Sequence, residues 1–310
     1  MARKPRVTVV GSFAVGLTLR APRFPVAGET LLASGFEQGP GGKGSNQAVQ
    51  AARMGADVEF VGVVGGDGYG DIGRALWDEE GVGTGRVRVT ESVNTGLGFI
   101  MLDERGENRI LLDPGANEHL SPEDVEAAGS VIAEADVLIT QLEIPVDAAA
   151  ASLRIARENG VRTILNPAPA RALTDWPNLG ADVVTPNSSE ARSVLGLEPD
   201  APGDAETLGR ELLELGFGSV VLTLGERGAL ILAPGAPTKT QPSWPMKVVD
   251  STGAGDAFSG TLAAALAAGS SLEDAVDVAA AAGALACTKL GVVPSLPRGA
   301  EVARLRESRR

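Results

Sequence analysis

Short apolar runs alternate along this chain with longer segments of helical spacing, and this alternation constrains the fold more than any other feature. Runs rich in Val, Ile and Leu occur at residues 7–10, 58–64, 137–140, 161–165, 182–185 and 219–224. Apolar residues at helical spacing fill the segments between them, at residues 45–54, 72–80, 124–133, 146–159, 189–195 and 205–215. The pattern predicts an α/β fold in which helices cover a mainly parallel sheet.

Other segments depart from this alternation. Near the C-terminal end, the alanine-rich residues 254–268 and 272–287 predict two long, closely packed helices. Residues 12–38 contain prolines and no helical period, and residues 97–112 predict two strands joined by a turn at 103–106. We expect these irregular segments to form a small antiparallel layer outside the main sheet, and the basic C-terminal tail to be a solvated end.

Composition excludes several classes of function. The 310 residues suffice for about two folding units. A formal net charge of −13 repels phosphate backbones and anionic lipids, so we expect neither a nucleic-acid nor a membrane partner. The only cysteine is Cys287 and the only histidine is His119, which exclude an internal disulfide and a Cys/His zinc site. We expect a cytoplasmic protein.

Glycine is the unusual residue, at 40 of 310, and it concentrates in three clusters. The cluster at 39–44 contains the letters of a dinucleotide fingerprint, but Pro40 interrupts it and no clear strand leads into it. The cluster at 68–73 follows the predicted strand 58–64 and has Glu91 about twenty residues further on. It leaves open a nicotinamide-linked oxidoreductase, or simply a loop at a strand end.

The third cluster, at 248–258, opens the predicted helix 254–268. The N–H groups of a first helical turn have no partner within the helix, so small residues there let an anion approach closely. Gly253, Ala254 and Gly255 suit that purpose, and Asp256 lies where a carboxylate could take a proton from an attacking hydroxyl. The alternative is an acidic side chain that merely complements the helix dipole.

Five motifs in order resemble the ribokinase (PfkB) family of carbohydrate kinases. Residues 41–48 (GGKGSNQA) resemble its first signature and residues 250–256 (DSTGAGD) its second, with QLE at 141–143, NPAPA at 166–170 and TPNSSE at 185–190 between them. The resemblance implies a three-layer α/β/α fold with a mainly parallel central sheet and a small β-sheet lid. It assigns residues 1–11, 39–94 and 116–310 to the α/β domain that binds nucleotide and substrate, and residues 12–38 and 95–115 to the lid.

The resemblance further implies an ATP-dependent sugar kinase that phosphorylates the primary hydroxyl of ribose or a related small sugar, with ATP, Mg²⁺ and a monovalent cation, K⁺ by preference, as cofactors. Such kinases often form a homodimer through the lid. Asp256 would be the catalytic base, and Gly253, Ala254 and Gly255 the anion hole. The resemblance implies that the sugar is bound by Gly42, Lys43, Asn46 and Glu143. It implies that the nucleotide is bound by Asn187, Glu190, Thr223, Gly225 and Gly255, with Glu190 near Mg²⁺. It implies that the monovalent cation is bound, in part through backbone carbonyls, by Asp250, Thr252, Ala286, Lys289, Gly291 and Ser295.

One motif departs from the family's pattern. After the first strand the family has Gly-Ser-x-Asn-x-Asp, whose Asn and Asp bind sugar hydroxyls, but this chain has Ala14 and Gly16 at those two positions. A charge-assisted hydrogen bond contributes roughly 1.5–3 kcal/mol, so its absence weakens ribose binding unless something compensates. The alternatives are therefore a kinase for another sugar or a nucleoside, or a non-catalytic protein that binds sugar or nucleotide.

Overall fold

A nine-stranded sheet forms the centre of the computed structural model, which describes residues 3–105, 107–174 and 179–309. The strand order is β13-β12-β11-β10-β9-β8-β1-β4-β5, and all neighbouring pairs are parallel except β11 with β12 and β12 with β13. The strands are β1 Arg6–Val10, β4 Asp57–Gly65, β5 Gly83–Thr90, β8 Val137–Thr140, β9 Arg162–Leu165, β10 Val183–Val184, β11 Val220–Thr223, β12 Ala229–Leu232 and β13 Lys239–Gln241.

Helices cover both faces of this sheet and thereby bury its strands on both sides. In β8, Val137 and Ile139 pack on one side with α1, α2, α8 and α9, whereas Leu138 packs on the other with α3 to α7. The helices are α1 Lys43–Arg53, α2 Gly68–Glu80, α3 Pro122–Ala127, α4 Gly129–Ala133, α5 Val146–Glu158, α6 Ser188–Val194, α7 Ala205–Glu214, α8 Ala254–Ala267, α9 Leu272–Ala286, α10 Val292–Ser295 and α11 Gly299–Glu307, with 3-10 turns at Gly115–His119 and Gly225–Arg227.

A second sheet of four strands stands apart from the first. We call it the smaller sheet; its order is β3-β2-β6-β7, and its strands are β2 Ala14–Arg20, β3 Ser34–Gly41, β6 Gly96–Leu102 and β7 Asn108–Asp113. The prediction of an antiparallel layer is wrong at its centre, because β2 and β6 run parallel, whereas the two outer pairings are antiparallel. The strands of the central pair come from distant segments, so no hairpin turn dictates their direction.

The structure confirms the predicted α/β fold and the six predicted parallel strands. Sequence patterns missed the edge strands β5 and β13 and the strand β12 next to that edge, and they missed β3, which leads directly into the glycine cluster at 39–44. The C-terminal segment is not a solvated end, since it forms α11 and Arg306 donates to Asp277 at 2.9 Å. Gly106 of the predicted turn and Arg310 lie outside the described residues. The division of the chain into domains stays a prediction.

Among the described residues, no helix has both the length and the apolar character needed to cross a bilayer. His119 is exposed, and Cys287 is half-buried.

Candidate active site

Two helices bring their first turns together on one side of the main sheet. Helix α1 begins at Lys43, directly after Gly42, whose φ of 84° is a left-handed conformation that glycine adopts without strain. A methyl group on Gly42 would lie 2.7 Å from the backbone of Ala14. Helix α8 begins after Gly253, which also has a left-handed φ, of 82°. The first turns carry Lys43 and Asn46 on α1 and Asp256 on α8.

Asp256 is held in a buried position between donors from α1. The residue is 7% exposed. Its Oδ2 accepts a hydrogen bond of 2.8 Å from Nδ2 of Asn46, and its Oδ1 accepts one of 3.1 Å from Nε2 of Gln47. Burial raises the pKa of Asp256 above that of an ordinary aspartate, although the charge of Lys43 and the bond from Asn46 act to lower it. The carboxyl is therefore a stronger proton acceptor than an exposed aspartate.

Lys43 supplies positive charge to the same site. Burial acts to lower the pKa of Lys43, but the charges of Asp256, Glu143 and Glu190 outweigh it and raise that pKa. The ammonium group is thus fixed in its charged form. Since these three carboxylates come from different elements, Lys43 lies where they converge.

Glu143 follows strand β8 and closes the site on the other side of Lys43. Its Oε2 accepts a hydrogen bond of 2.6 Å from Oγ of Ser12 and one of 2.8 Å from the N–H of Lys43. Ser12 Oγ in turn accepts a bond of 3.3 Å from the N–H of Gly44. The carboxylate therefore connects the segment after β1 to the start of α1.

A row of buried amide side chains, whose role the sequence motifs did not predict, supports these groups. Nε2 of Gln141 donates to Oε1 of Gln47 at 2.7 Å, and Nε2 of Gln47 donates to Oδ1 of Asn166 at 3.0 Å. Gln141 and Asn166 follow strands β8 and β9, so a search for polar residues at the carboxyl ends of parallel strands finds them. Among the described residues, Oε1 of Gln141 and Oδ1 of Asn46 are buried acceptors without a partner.

The start of α8 is open to an incoming group. A methyl group on Gly253 would lie 2.6 Å from Cγ1 of Val292, whereas one on Gly255 would meet no atom within 4 Å. The free N–H groups of a first helical turn attract anions. Gly253 thus packs against the protein, Gly255 faces open space, and an anion that reaches Ala254 and Gly255 lies beside Asp256.

Asn187 and Glu190 cap helix α6. Oδ1 of Asn187 accepts from the N–H of Glu190 at 2.8 Å, and Oε2 of Glu190 accepts from the N–H of Asn187 at 2.8 Å. Burial raises the pKa of Glu190, against the hydrogen bond from Asn187 and the charge of Lys43. Thr223 forms a parallel bridge with Asn187, and Gly225 follows it with a left-handed φ of 58°. These four of the five predicted nucleotide-binding residues therefore lie near one another, at the start of α6 and at the end of β11, and Asn187 and Glu190 are engaged in helix capping.

The residues predicted to bind a monovalent cation are partly brought together. Oδ1 of Asp250 accepts from Thr252 through its N–H at 2.9 Å and its hydroxyl at 2.6 Å, and Oδ2 accepts from the N–H of Gly291 at 3.2 Å. Burial opposes ionisation of Asp250, but these bonds outweigh it and lower its pKa. Ala286 ends α9 nearby, next to Cys287, whose carbonyl accepts from the N–H of Asp250.

The other two predicted members of that set have partners of their own. The hydroxyl of Ser295 donates to the carbonyl of Val292 at 2.7 Å. The ammonium group of Lys289 lies 3.4 Å from Glu301. Because an ammonium group is a donor without a free lone pair, only the backbone carbonyl of Lys289 could serve a cation.

The glycine cluster at 68–73 has a structural explanation. Gly68 begins helix α2, and Oδ1 of Asp67 caps the helix by accepting from the N–H of Gly70 at 2.8 Å. Burial acts to raise the pKa of Asp67, but its backbone hydrogen bonds, the bond from Gly70 foremost, hold it below the usual value. This side chain is therefore an ionised helix cap.

Both the sequence and the structure of this chain are similar to those of known proteins. A family model described as "pfkB family carbohydrate kinase" matches residues 4–298. The ribokinase of Haemophilus influenzae is 35% identical over 94% of this chain and 95% of its own length. The deoxyribokinase of Salmonella typhi is 31% identical over 94% of this chain and 95% of its own length. Among solved structures, Arabidopsis thaliana ribokinase complexed with ribose and ATP has a TM-score of 0.88 at 30% identity, covering 98% of this chain and 99% of that one.

Proposed function

Because the chain belongs to the pfkB family of carbohydrate kinases, we propose that it transfers the γ-phosphoryl group of ATP to the primary hydroxyl of ribose. It is a phosphotransferase with an alcohol group as acceptor. The observation that carries the proposal is the buried carboxylate of Asp256, which lies in the first turn of α8 and is held by Asn46 and Gln47.

Phosphoryl transfer needs positioning and compensation of negative charge more than covalent help from the protein. Asp256 would take the proton of the attacking hydroxyl, a role that its raised pKa suits. The N–H groups of Ala254 and Gly255 would hold the transferring group, which the open space at Gly255 admits. Lys43, kept charged by three carboxylates, would offset the charge that accumulates at the acceptor.

ATP would lie between the start of α8 and the loops that carry Asn187, Thr223 and Gly225. Mg²⁺, when bound to the phosphates, would neutralise their charge. Among residues 3–105, 107–174 and 179–309, no group of three or more His, Cys, Asp or Glu side chains is arranged to hold a metal. That fits a magnesium ion held mainly by phosphate oxygens and water, with Glu190 as the nearest protein carboxylate.

The sugar would be held by Glu143, Lys43 and Asn46, with the unpartnered Oδ1 of Asn46 as an acceptor for a hydroxyl. Strand β2 contributes no polar side chain at its first and third positions, Ala14 and Gly16. A 2-deoxypentose is therefore the second candidate acceptor, and the likeness to a deoxyribokinase supports it.

Asp250, Thr252, Ala286, Lys289, Gly291 and Ser295 would serve a monovalent cation, K⁺ by preference, in part through backbone carbonyls. The ionised carboxylate of Asp250 supports this, as does its hydrogen bond to Gly291, which joins two of the loops concerned. The cation would act by fixing the loop that precedes α8.

We propose the smaller sheet as a lid over the sugar and as the interface of a homodimer. It carries apolar side chains that are largely exposed, among them Leu111 at 71%, Leu112 at 63% and Phe36 at 61%. Exposed apolar patches of this kind mark interaction sites. With one half-buried cysteine, the chain suits a reducing cytoplasm, where we expect it to act.

A coupled assay of ADP release with ribose, 2-deoxyribose, hexoses and nucleosides tests the function. We expect ATP-dependent turnover that is highest with a pentose, and phosphate on its primary hydroxyl. Binding of nucleotide without turnover on any acceptor would favour a non-catalytic protein, and binding of NAD would restore the oxidoreductase alternative.

A further inference from the structure

Arg53, the last residue of α1, has an enclosed guanidinium group. Its side chain is 10% exposed, and that of its ion-pair partner Glu80, the last residue of α2, is 4% exposed. Nε of Arg53 donates to Glu80 at 3.1 Å, and the hydrogen bond from Arg53 lowers the pKa of Glu80. Removing two charges from water offsets much of their attraction, so the pair is a weak source of stability.

The same guanidinium group also holds the short helix α10. Nη1 of Arg53 donates to the carbonyl of Val293 at 2.8 Å and to that of Leu296 at 2.7 Å. One turn earlier on α1, Nε2 of Gln50 donates to the carbonyl of Pro297 at 3.2 Å. The C-terminal half of α1 is thus bonded to α10 and to the residues that follow it.

Helix α10 in turn fixes the start of α8. Its first residue, Val292, fills the space beside Gly253, where even a methyl group would lie 2.6 Å from Cγ1 of Val292. The preceding residue, Gly291, donates its N–H to Asp250. A shift of Val292 would therefore release or displace the backbone at Gly253, and with it the N–H groups of Ala254 and Gly255.

We propose that Arg53 is a positioning residue for phosphoryl transfer, which holds α10 against Gly253 and thereby aligns the start of α8 with the carboxylate of Asp256. This inference rests on the proposed transfer at Asp256. Helix α1 acts at both ends: Asn46 contacts the carboxylate directly, and Arg53, about 10 Å along the same helix, fixes the backbone that would hold the phosphoryl group.

The test compares Arg53→Met and Arg53→Lys with Arg298→Met. Arg298 also pairs with Glu80, at 3.5 Å, but its side chain is 63% exposed, so its loss leaves the contacts to α10 intact. We expect Arg53→Met to lower kcat about 10- to 100-fold, since small misplacements of reacting groups have effects of this size. Sugar affinity, measured by calorimetry, should stay that of the parent protein, because Lys43 and Glu143 are not displaced.

Arg53→Lys should give an intermediate kcat, since one ammonium group cannot reproduce the planar set of guanidinium donors. Added guanidinium ion should restore part of the kcat of Arg53→Met, and Arg298→Met should have the parent kcat. An unchanged kcat in both Arg53 variants would overturn the inference. The inference would also be overturned if sugar affinity fell together with kcat and guanidinium ion restored neither, because that result indicates general unfolding.

If Arg53→Met does not fold, Arg53→Lys decides between these outcomes. A parent protein without turnover would instead contradict the proposed function itself.

Discussion

Nδ2 of Asn46 lies 2.8 Å from Oδ2 of Asp256 and joins the first turns of two helices across 210 positions of the chain. A second donor, Nε2 of Gln47, takes the other carboxylate oxygen at 3.1 Å. The carboxylate cannot rotate without losing both bonds. Its orientation is therefore fixed before any acceptor binds, which is the arrangement that favours proton transfer to a positioned base.

Replacing this carboxylate isolates its role. We expect Asp256→Asn to lower turnover by about 10²–10⁴, since the base is lost while the side-chain volume stays. The matched control is Asp274→Asn. Asp274 is the third residue after the N-cap of α9, just as Asp256 is the third residue after the N-cap of α8, but Asp274 is exposed. Steady-state ADP release measures both. Retained turnover in Asp256→Asn would remove Asp256 from the role of base.

The pH dependence of kcat/KM should report the raised pKa of Asp256. The ionised form accepts the proton, so activity is present above that pKa and is lost as the pH falls through it. Because burial raises the pKa of Asp256, the acid limb of the pH profile should lie at a higher pH than the pKa range of an ordinary aspartate.

Lys43→Met removes a charge that lowers the pKa of Asp256 and should move the acid limb to still higher pH. Lys239→Met, at an exposed ion pair with Glu273, should leave the limb in place. A shift to lower pH in Lys43→Met would contradict the assignment.

Gly255→Ala tests the open space at the start of α8. The added methyl meets no protein atom within 4 Å, and alanine is the better helix former, so the melting temperature should not fall. The methyl group would occupy the space that we propose for the phosphoryl group, so we expect kcat to fall about tenfold or more. Gly68→Ala, at the start of α2 and equally open, is the control and should keep the parent kcat. Parent kcat in Gly255→Ala would place the phosphates elsewhere.

Sequence patterns predicted the parts of this fold in which local composition reflects burial. Strand β8 is buried on both faces and shows as an uninterrupted apolar run. Strand β5 alternates exposed Arg86 and Arg88 with valines at the sheet edge, and β3 is exposed along most of its length, so neither shows such a run. The parallel pairing of β2 with β6 depends on distant segments, which periodicity does not encode.

The residues of the candidate site likewise include some that the local sequence predicts and some that it does not. Asp256 and Lys43 lie in short glycine-rich motifs that are visible in the local sequence, and both were predicted as site residues. Gln141 and Asn166 act through side chains that meet Gln47 only in the folded chain. Asn187 and Glu190 were named for nucleotide binding, yet the structure also gives them a capping role that their spacing equally predicts.

The glycine at position 16 should limit discrimination between ribose and 2-deoxyribose. A Cβ there would be 3.6 Å from its nearest neighbour, Cδ1 of Ile100, so the position admits a larger side chain. We expect Gly16→Asp combined with Ala14→Asn to raise kcat/KM for ribose about ten- to a hundredfold relative to 2-deoxyribose. Gly85→Asp, at an open position of β5, should leave the ratio unchanged. Strong preference for ribose in the parent protein would mean that other groups read the 2-hydroxyl.

The exposed apolar side chains of the smaller sheet predict self-association. Leu111→Lys places a charge on the edge strand β7, and we expect it to shift a dimer to monomer in sedimentation velocity. Leu197→Lys changes a leucine that is 44% exposed outside that sheet and should not alter the distribution. A monomeric parent protein at micromolar concentration would contradict the proposed interface.

Only Gly42 separates the end of β3 from the beginning of α1. Since a methyl group at Gly42 would lie 2.7 Å from the backbone of Ala14, this joint is tightly enclosed as well as short. At this joint, a rotation of β3 relative to α1 must be taken up by torsion at Gly42 or displace Lys43. The orientation of β3 and the position of Lys43 are thus mechanically linked.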